Sequence, residues 1–162
     1  MTSQSSGSQP SSSQQEIDER ILLDWGARIG IAACMDNVAP SQLENLIASL
    51  DSVSGKEALL ATAAFALRQA QRHKRQDQRE KKKGGIGERT ANLIRQALLD
   101  LYGREGADKD HARKMLGFAK WIYEWLHVED RDGRSYCKVN IPNPENLTLL
   151  QLLKQFRQQR TG

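Results

Sequence analysis

Cysteine is scarce: the 162 residues hold two, Cys34 and Cys137, with no CxxC spacing. That excludes a disulfide framework or a thiol-rich zinc site and leaves two reduced, mostly buried thiols as the expectation. Histidine is equally thin. His73, His111 and His127 have no cysteine or carboxylate at metal-ligand spacing, so neither a metal centre nor an acid–base histidine is expected. Also missing are a phosphate-binding glycine loop, a nucleophile elbow and a paired-carboxylate motif. Asp130-Arg131-Asp132-Gly133 lacks the further ligands and distal Glu of a calcium loop and reads as a turn. No apolar run approaches the roughly eighteen residues of a membrane span, and Met1 is followed by polar residues rather than a secretory leader. These absences imply a cytoplasmic protein, not an enzyme, with no cofactor and no membrane association.

Residues 1–15 are almost entirely Ser, Gln, Gly, Thr and Pro. Such a composition buries too little apolar surface to offset ordering entropy, so a disordered tail is expected there. Residues 16–162 suffice for one core and read as a single helical domain.

Within that domain, Ile17, Ile21, Trp25 and Ile29 place a first helix over about Glu16 to Met35, broken by Pro40. Ser41 with Glu44, and Ser54 with Glu57, read as capping boxes opening a second and a third helix. The third begins nearly all apolar, Ala58 to Leu67, then turns basic and continues to Lys83 before Gly84-Gly85. Glu88 to Tyr102 forms the fourth helix, ended by Gly103, and Asp108 caps a fifth that reaches Leu126. Val128 to Ile141, with Asp132-Gly133 at its middle, suits a hairpin, and Asn143-Pro144 opens a last helix carrying Leu149, Leu152, Leu153 and Phe156. The expected fold is all-α: a five- to six-helix bundle with a disordered N-terminal tail and room for one short β-hairpin near the C-terminus.

Charge is unevenly distributed. Between positions 68 and 89 stand nine basic residues, Arg68, Arg72, Lys74, Arg75, Arg79, Lys81, Lys82, Lys83 and Arg89, against Asp77, Glu80 and Glu88. The segment carries +6, so the rest of the chain carries −2 of the total +4. A solvated face is the plain account of such a run. The threefold excess of bases favours another: Arg68, Arg72, Arg75 and Arg79 share one helical face, where a phosphate backbone of RNA or single-stranded DNA could lie. Such binding is sequence-independent and driven by counterion release. The segment at about 68–83 is expected to stand out from the body as a basic spur.

The fifth helix carries two apolar stripes. Ala112, Met115, Leu116, Ala119, Ile122, Tyr123 and Leu126 form the core stripe, and Phe118, Trp121 and Trp125 form a second beside it. A helix surrounded on all sides accounts for both stripes; the favoured account is contact of the second with another chain, through self-association or another subunit.

Two resemblances bear on function. Gly85-Ile86-Gly87-Glu88-Arg89-Thr90-Ala91-Asn92-Leu93-Ile94 resembles the second half of a helix-hairpin-helix motif. That likeness implies backbone N–H groups aimed at a phosphate of double-stranded DNA. Arg75 to Lys83, however, supplies none of the apolar residues the motif's first helix packs with, which favours a simple glycine hinge. From Ala58 to Leu126 the chain resembles the small helical subunits of type III multisubunit CRISPR effector complexes. The carrying residues are the passage from an Ala/Leu/Phe-rich helix into Arg68-Gln69-Ala70-Gln71-Arg72, and the later run Ala112-Arg113-Lys114-Met115-Leu116-Gly117-Phe118-Ala119-Lys120-Trp121. The resemblance implies a non-catalytic subunit of an antiviral ribonucleoprotein, stacked in several copies along the guide–target duplex. Alternatives are a free-standing helix-hairpin-helix-like DNA-binding protein and a protein–protein adaptor whose basic helix meets an acidic partner.

Overall fold

The computed structural model describes residues 17–80 and 85–161, with side chains placed over 17–75 and 85–156. The expected tail and the helix start at Glu16 lie outside the described residues. Among the described residues six α-helices follow in order: α1 (Glu19–Met35), α2 (Pro40–Ser49), α3 (Glu57–Glu80), α4 (Glu88–Tyr102), α5 (Lys109–Leu126) and α6 (Leu149–Thr161). A two-stranded hairpin, β1 (His127–Glu129) and β2 (Ser135–Cys137), sits between α5 and α6. The expected all-α bundle with one hairpin is the fold observed. Among the described residues no helix is long and apolar enough to cross a membrane.

Local chemistry sets the helix ends. Asp18 caps α1 by accepting the Arg20 N–H at 2.9 Å. The helix ends not at Pro40 but at a Schellman motif: Asn37 takes a left-handed φ of 56°, and the Val38 and Asn37 N–H groups return to the carbonyls of Ala33 and Cys34. Pro40 instead occupies the first position of α2, where its missing N–H costs nothing. Neither Ser/Glu capping box forms. Glu44 pairs with Lys120 at 3.1 Å, and Glu57 accepts the Tyr102 hydroxyl at 3.1 Å. Asp108 does cap α5, reciprocally with His111: its carboxylate accepts the His111 N–H while His111 Nδ1 accepts the Asp108 N–H.

The closest helix pairing is α1 on α5, and two glycines permit it. A Cβ on Gly26 would lie 2.8 Å from Phe118 Cβ, and one on Gly30 would lie 2.6 Å from the Ala119 carbonyl oxygen. Around that crossing, Leu22, Ile29, Ala33, Met115, Ala119 and Tyr123 are buried. The second major pairing sets α3 antiparallel on α4, burying Ala63, Ala66, Ile94, Leu98 and Leu101. Trp25 Nε1 ties α1 to α4 through Asp100 at 3.0 Å, with the Arg28 guanidinium 4.6 Å over the indole.

The hairpin pairs His127 with Cys137 and Glu129 with Ser135. Its loop is wider than a two-residue Asp-Gly turn. The Gly133 N–H closes on the Asp130 carbonyl, Gly133 itself takes φ 78°, and the Asp130 carboxylate accepts the Asp132 and Arg134 N–H groups. Beyond it, Pro144 opens only a short 3-10 turn, Pro144–Asn146. The last helix starts later, at a Thr148/Gln151 capping box with bonds of 3.0 and 3.1 Å. It docks on α1 where Asp24 accepts the Leu149 N–H at 2.9 Å and Arg28 Nε donates to the Leu147 carbonyl at 2.8 Å.

Candidate nucleic-acid interface

Helix α3 carries the candidate surface. Its N-terminal half is apolar and buried through Ala66; from Arg68 the buried positions thin to Ala70 while the helix runs on to Glu80. The segment stays against α4 for two further turns. His73 is half-buried with its ring beside Gly85, and Lys74 Nζ stands 4.0 Å from Glu88. A chain standing clear of the body therefore begins no earlier than about Arg75.

Arg68, Arg72 and Arg75 are all exposed. They fall at i, i+4 and i+7, a row of guanidiniums about 5–6 Å apart along the helix. Among the residues whose side chains are placed, which leave out Asp77 and Glu80, none of the three pairs with a carboxylate, whereas Arg104, Arg113, Lys114 and Lys120 all do. An adjacent groove is lined by Leu67, Ala70, Gln71 and Lys74 of α3 with Glu88, Ala91 and Asn92 of α4. The Arg79 side chain and the whole of Lys81, Lys82 and Lys83 lie outside the described residues.

Arg89 does not join the row. Its guanidinium is 2.9 Å from Asp36, whose other carboxylate oxygen accepts the hydroxyl of buried Thr90 at 2.8 Å. The same carboxylate lies beside Gly87, the N-cap of α4. An anion from α1 thus already sits at the positive end of α4. This is the place that a helix-hairpin-helix turn would offer to a phosphate. Ile86, between the two glycines, is fully buried and anchors the turn to the core.

The aromatic stripe of α5 divides. Phe118 is half-buried at the α1 crossing, and Trp125 is half-buried edge-on against Phe156 of α6, centroids 4.7 Å apart. Trp121 alone stays open, 66% exposed and tilted on Phe118 at 5.6 Å.

The histidines have local employment: His111 caps α5, and His127 stacks on Tyr123 at 4.8 Å. Among the described residues no three His, Cys, Asp or Glu side chains gather as metal ligands. Residues that sequence patterns do not single out include Asp36, which neutralises Arg89, and the Cys34–Cys137 pair, which the packing of β2 on α1 brings together. No signal short of the fold points to either, because the partners lie far apart along the chain. Neither a protein-family model, nor a curated protein sequence, nor a solved structure matches the chain.

Proposed function

We propose that this protein is a non-catalytic binder of RNA or single-stranded DNA backbone, working as a structural subunit of a cytoplasmic ribonucleoprotein. The observation that carries the reading is the row Arg68, Arg72 and Arg75. It is exposed and regularly spaced along one face of α3. Guanidiniums at one-turn intervals grip successive phosphates in bidentate fashion and ignore base identity. Lys81, Lys82 and Lys83 follow in the sequence and would extend the row as point charges, and the α3–α4 pairing holds the row in line. The likeness to small subunits of type III CRISPR effectors supplies the system in which such a row would serve: several copies following a guide–target duplex. The open indole of Trp121, on another helix, suits contact with a neighbouring subunit.

The test is binding of a fluorescent single-stranded RNA as a function of salt. With about four phosphates contacted, log affinity falls against log salt with a slope near −3. Replacing Arg68, Arg72 and Arg75 together by Gln, which keeps the helix, reduces the magnitude of that slope by about 2. A flat salt response, or an unchanged slope in the triple variant, refutes the reading.

A further inference from the structure

The C-terminal return of the chain brings its two cysteines together. Cys34 is buried in the last turn of α1, and Cys137 is half-buried at the end of β2. Four contacts clamp this junction. The Ile141 N–H points at Met35 Sδ at 3.3 Å, next along the chain from Cys34. The Lys138 N–H, next to Cys137, donates to the Leu126 carbonyl at 2.8 Å. His127, the register partner of Cys137, stacks on Tyr123. The Tyr123 hydroxyl in turn donates to the Val38 carbonyl, at the end of the motif that terminates α1. Residues 137–141 are thereby held on residues 34–38, and β2 packs on α1 so that Cys34 and Cys137 are brought together within the clamp.

We propose that Cys34 and Cys137 form a reversible intrachain disulfide by exchange with a small disulfide of the glutathione type, Cys137 reacting first. The two residues differ in the way the exchange requires. Cys137 is partly open to solvent, and the hydrogen bond it accepts from Cys34 holds its thiol below the usual range, favouring the nucleophilic thiolate. Cys34 is buried and keeps its proton, so a small disulfide cannot reach it directly. In the first step the Cys137 sulfur attacks one sulfur of the small disulfide, forming a mixed disulfide and expelling one small thiolate. In the second the Cys34 sulfur gives up its proton, attacks the Cys137 sulfur and expels the other. Two cysteine thiols lose two electrons, and one small disulfide becomes two small thiols. The new bond ties β2 to α1 and closes a loop containing α2 to α5, which raises resistance to unfolding. This inference does not depend on nucleic-acid binding.

The experiment incubates the full-length folded protein with excess glutathione disulfide and follows intact mass, a non-reducing peptide map and the thermal midpoint. The expected product is lighter by two hydrogen atoms, links the Cys34 peptide to the Cys137 peptide within one chain, melts higher than the starting protein and reverts with dithiothreitol. The Cys34→Ala variant is expected to stop at a persistent glutathione adduct on Cys137, and Cys137→Ser to remain unreacted under native conditions. A stable glutathione adduct on the unsubstituted protein, an interchain link, no reaction in the folded state, or a disulfide that leaves the melting temperature unchanged overturns the proposal. Should Cys34→Ala not fold, the mass and map of the unsubstituted protein decide alone.

Discussion

Gly30→Ala separates close helix packing from ordinary helix propensity. On propensity alone the change should stabilise α1, since Gly in a helix interior is about 1 kcal/mol less favourable than Ala. The surroundings dictate otherwise. The added Cβ would lie 2.6 Å from the Ala119 carbonyl oxygen and 2.8 Å from Ile122 Cβ, whereas carbon contacts prefer roughly 3.5–4.0 Å. Both obstacles are backbone or backbone-proximal and cannot swing away, so α1 and α5 must part by close to 1 Å. A gap of that size forfeits a quarter to a half of each contact's dispersion energy, and overpacking of this kind costs about 1–3 kcal/mol. With both obstacles fixed, the cost falls in the upper half of that range, about 2–3 kcal/mol. Net of the propensity gain, Gly30→Ala is expected to destabilise by about 1–2 kcal/mol and to lower the melting temperature by about 2–8 °C. Adding Gly26→Ala should cost less than a second full penalty, because both changes demand the same parting of the same helices. The internal control lies on α5: a Cβ on Gly117 meets nothing within 4 Å, so Gly117→Ala should stabilise by about 0.5–1 kcal/mol. Urea titrations of the single and double variants, with circular dichroism as the readout, give the comparison. If Gly30→Ala is as stable as the unsubstituted protein, or rises alongside Gly117→Ala, the close-packing account is wrong.

Asp36→Ala strips the acceptor from the buried Thr90 hydroxyl and the partner from Arg89, and a denaturant titration should show a loss of about 1–3 kcal/mol. Trp121→Ala, at an exposed position, should change folding stability by no more than about 0.5 kcal/mol. Trp125→Ala, which removes the edge contact to Phe156, should cost about 2 kcal/mol or more; equal effects in the two melts would contradict the division of the aromatic stripe. Burial pushes the Tyr123 phenol up to about 12, with nearby Cys34 adding to the rise. Its folded value exceeds its unfolded one, so its contribution to stability is full below about 10 and fades as pH climbs through 12. Spectrophotometric titration should find one late-ionising tyrosine that disappears in Tyr123→Phe.

What the sequence makes legible depends on how far apart the cooperating residues stand. The cap of α5 is readable because Asp108 and His111 are neighbours across one turn. The extent of α4 is readable because its apolar spacing and flanking glycines agree. The start of α6 is misplaced by several residues: Asn143-Pro144 offers a strong local signal, yet the Thr148/Gln151 box wins because the Leu149 N–H also finds Asp24 of α1. The end of α1 at Met35 is as expected, but its cause is the left-handed Asn37, which satisfies the last carbonyls before Pro40 is reached. At the candidate interface the exposure of Arg68, Arg72 and Arg75 follows from their periodicity. The removal of Arg89 from the row does not, because Asp36 reaches it only after α2 and α3 have folded back. For Gly26 and Gly30 a signal existed, two glycines one turn apart in an apolar helix, but the facing helix could not be named from it.

The α1–α5 crossing has a consequence for synthesis on the ribosome. Of the described helices α1 emerges first, yet its main partner emerges late, since α5 begins only at Lys109. Until then Leu22, Ile29 and Ile31 have no α5 surface to cover them, while α2, α3 and α4 can already settle on one another through contacts closer in sequence. The nascent chain thus carries α1 with its apolar face waiting for a partner that begins only at Lys109. That interval, rather than the finished fold, is where this protein is most exposed to aggregation and most in need of a chaperone.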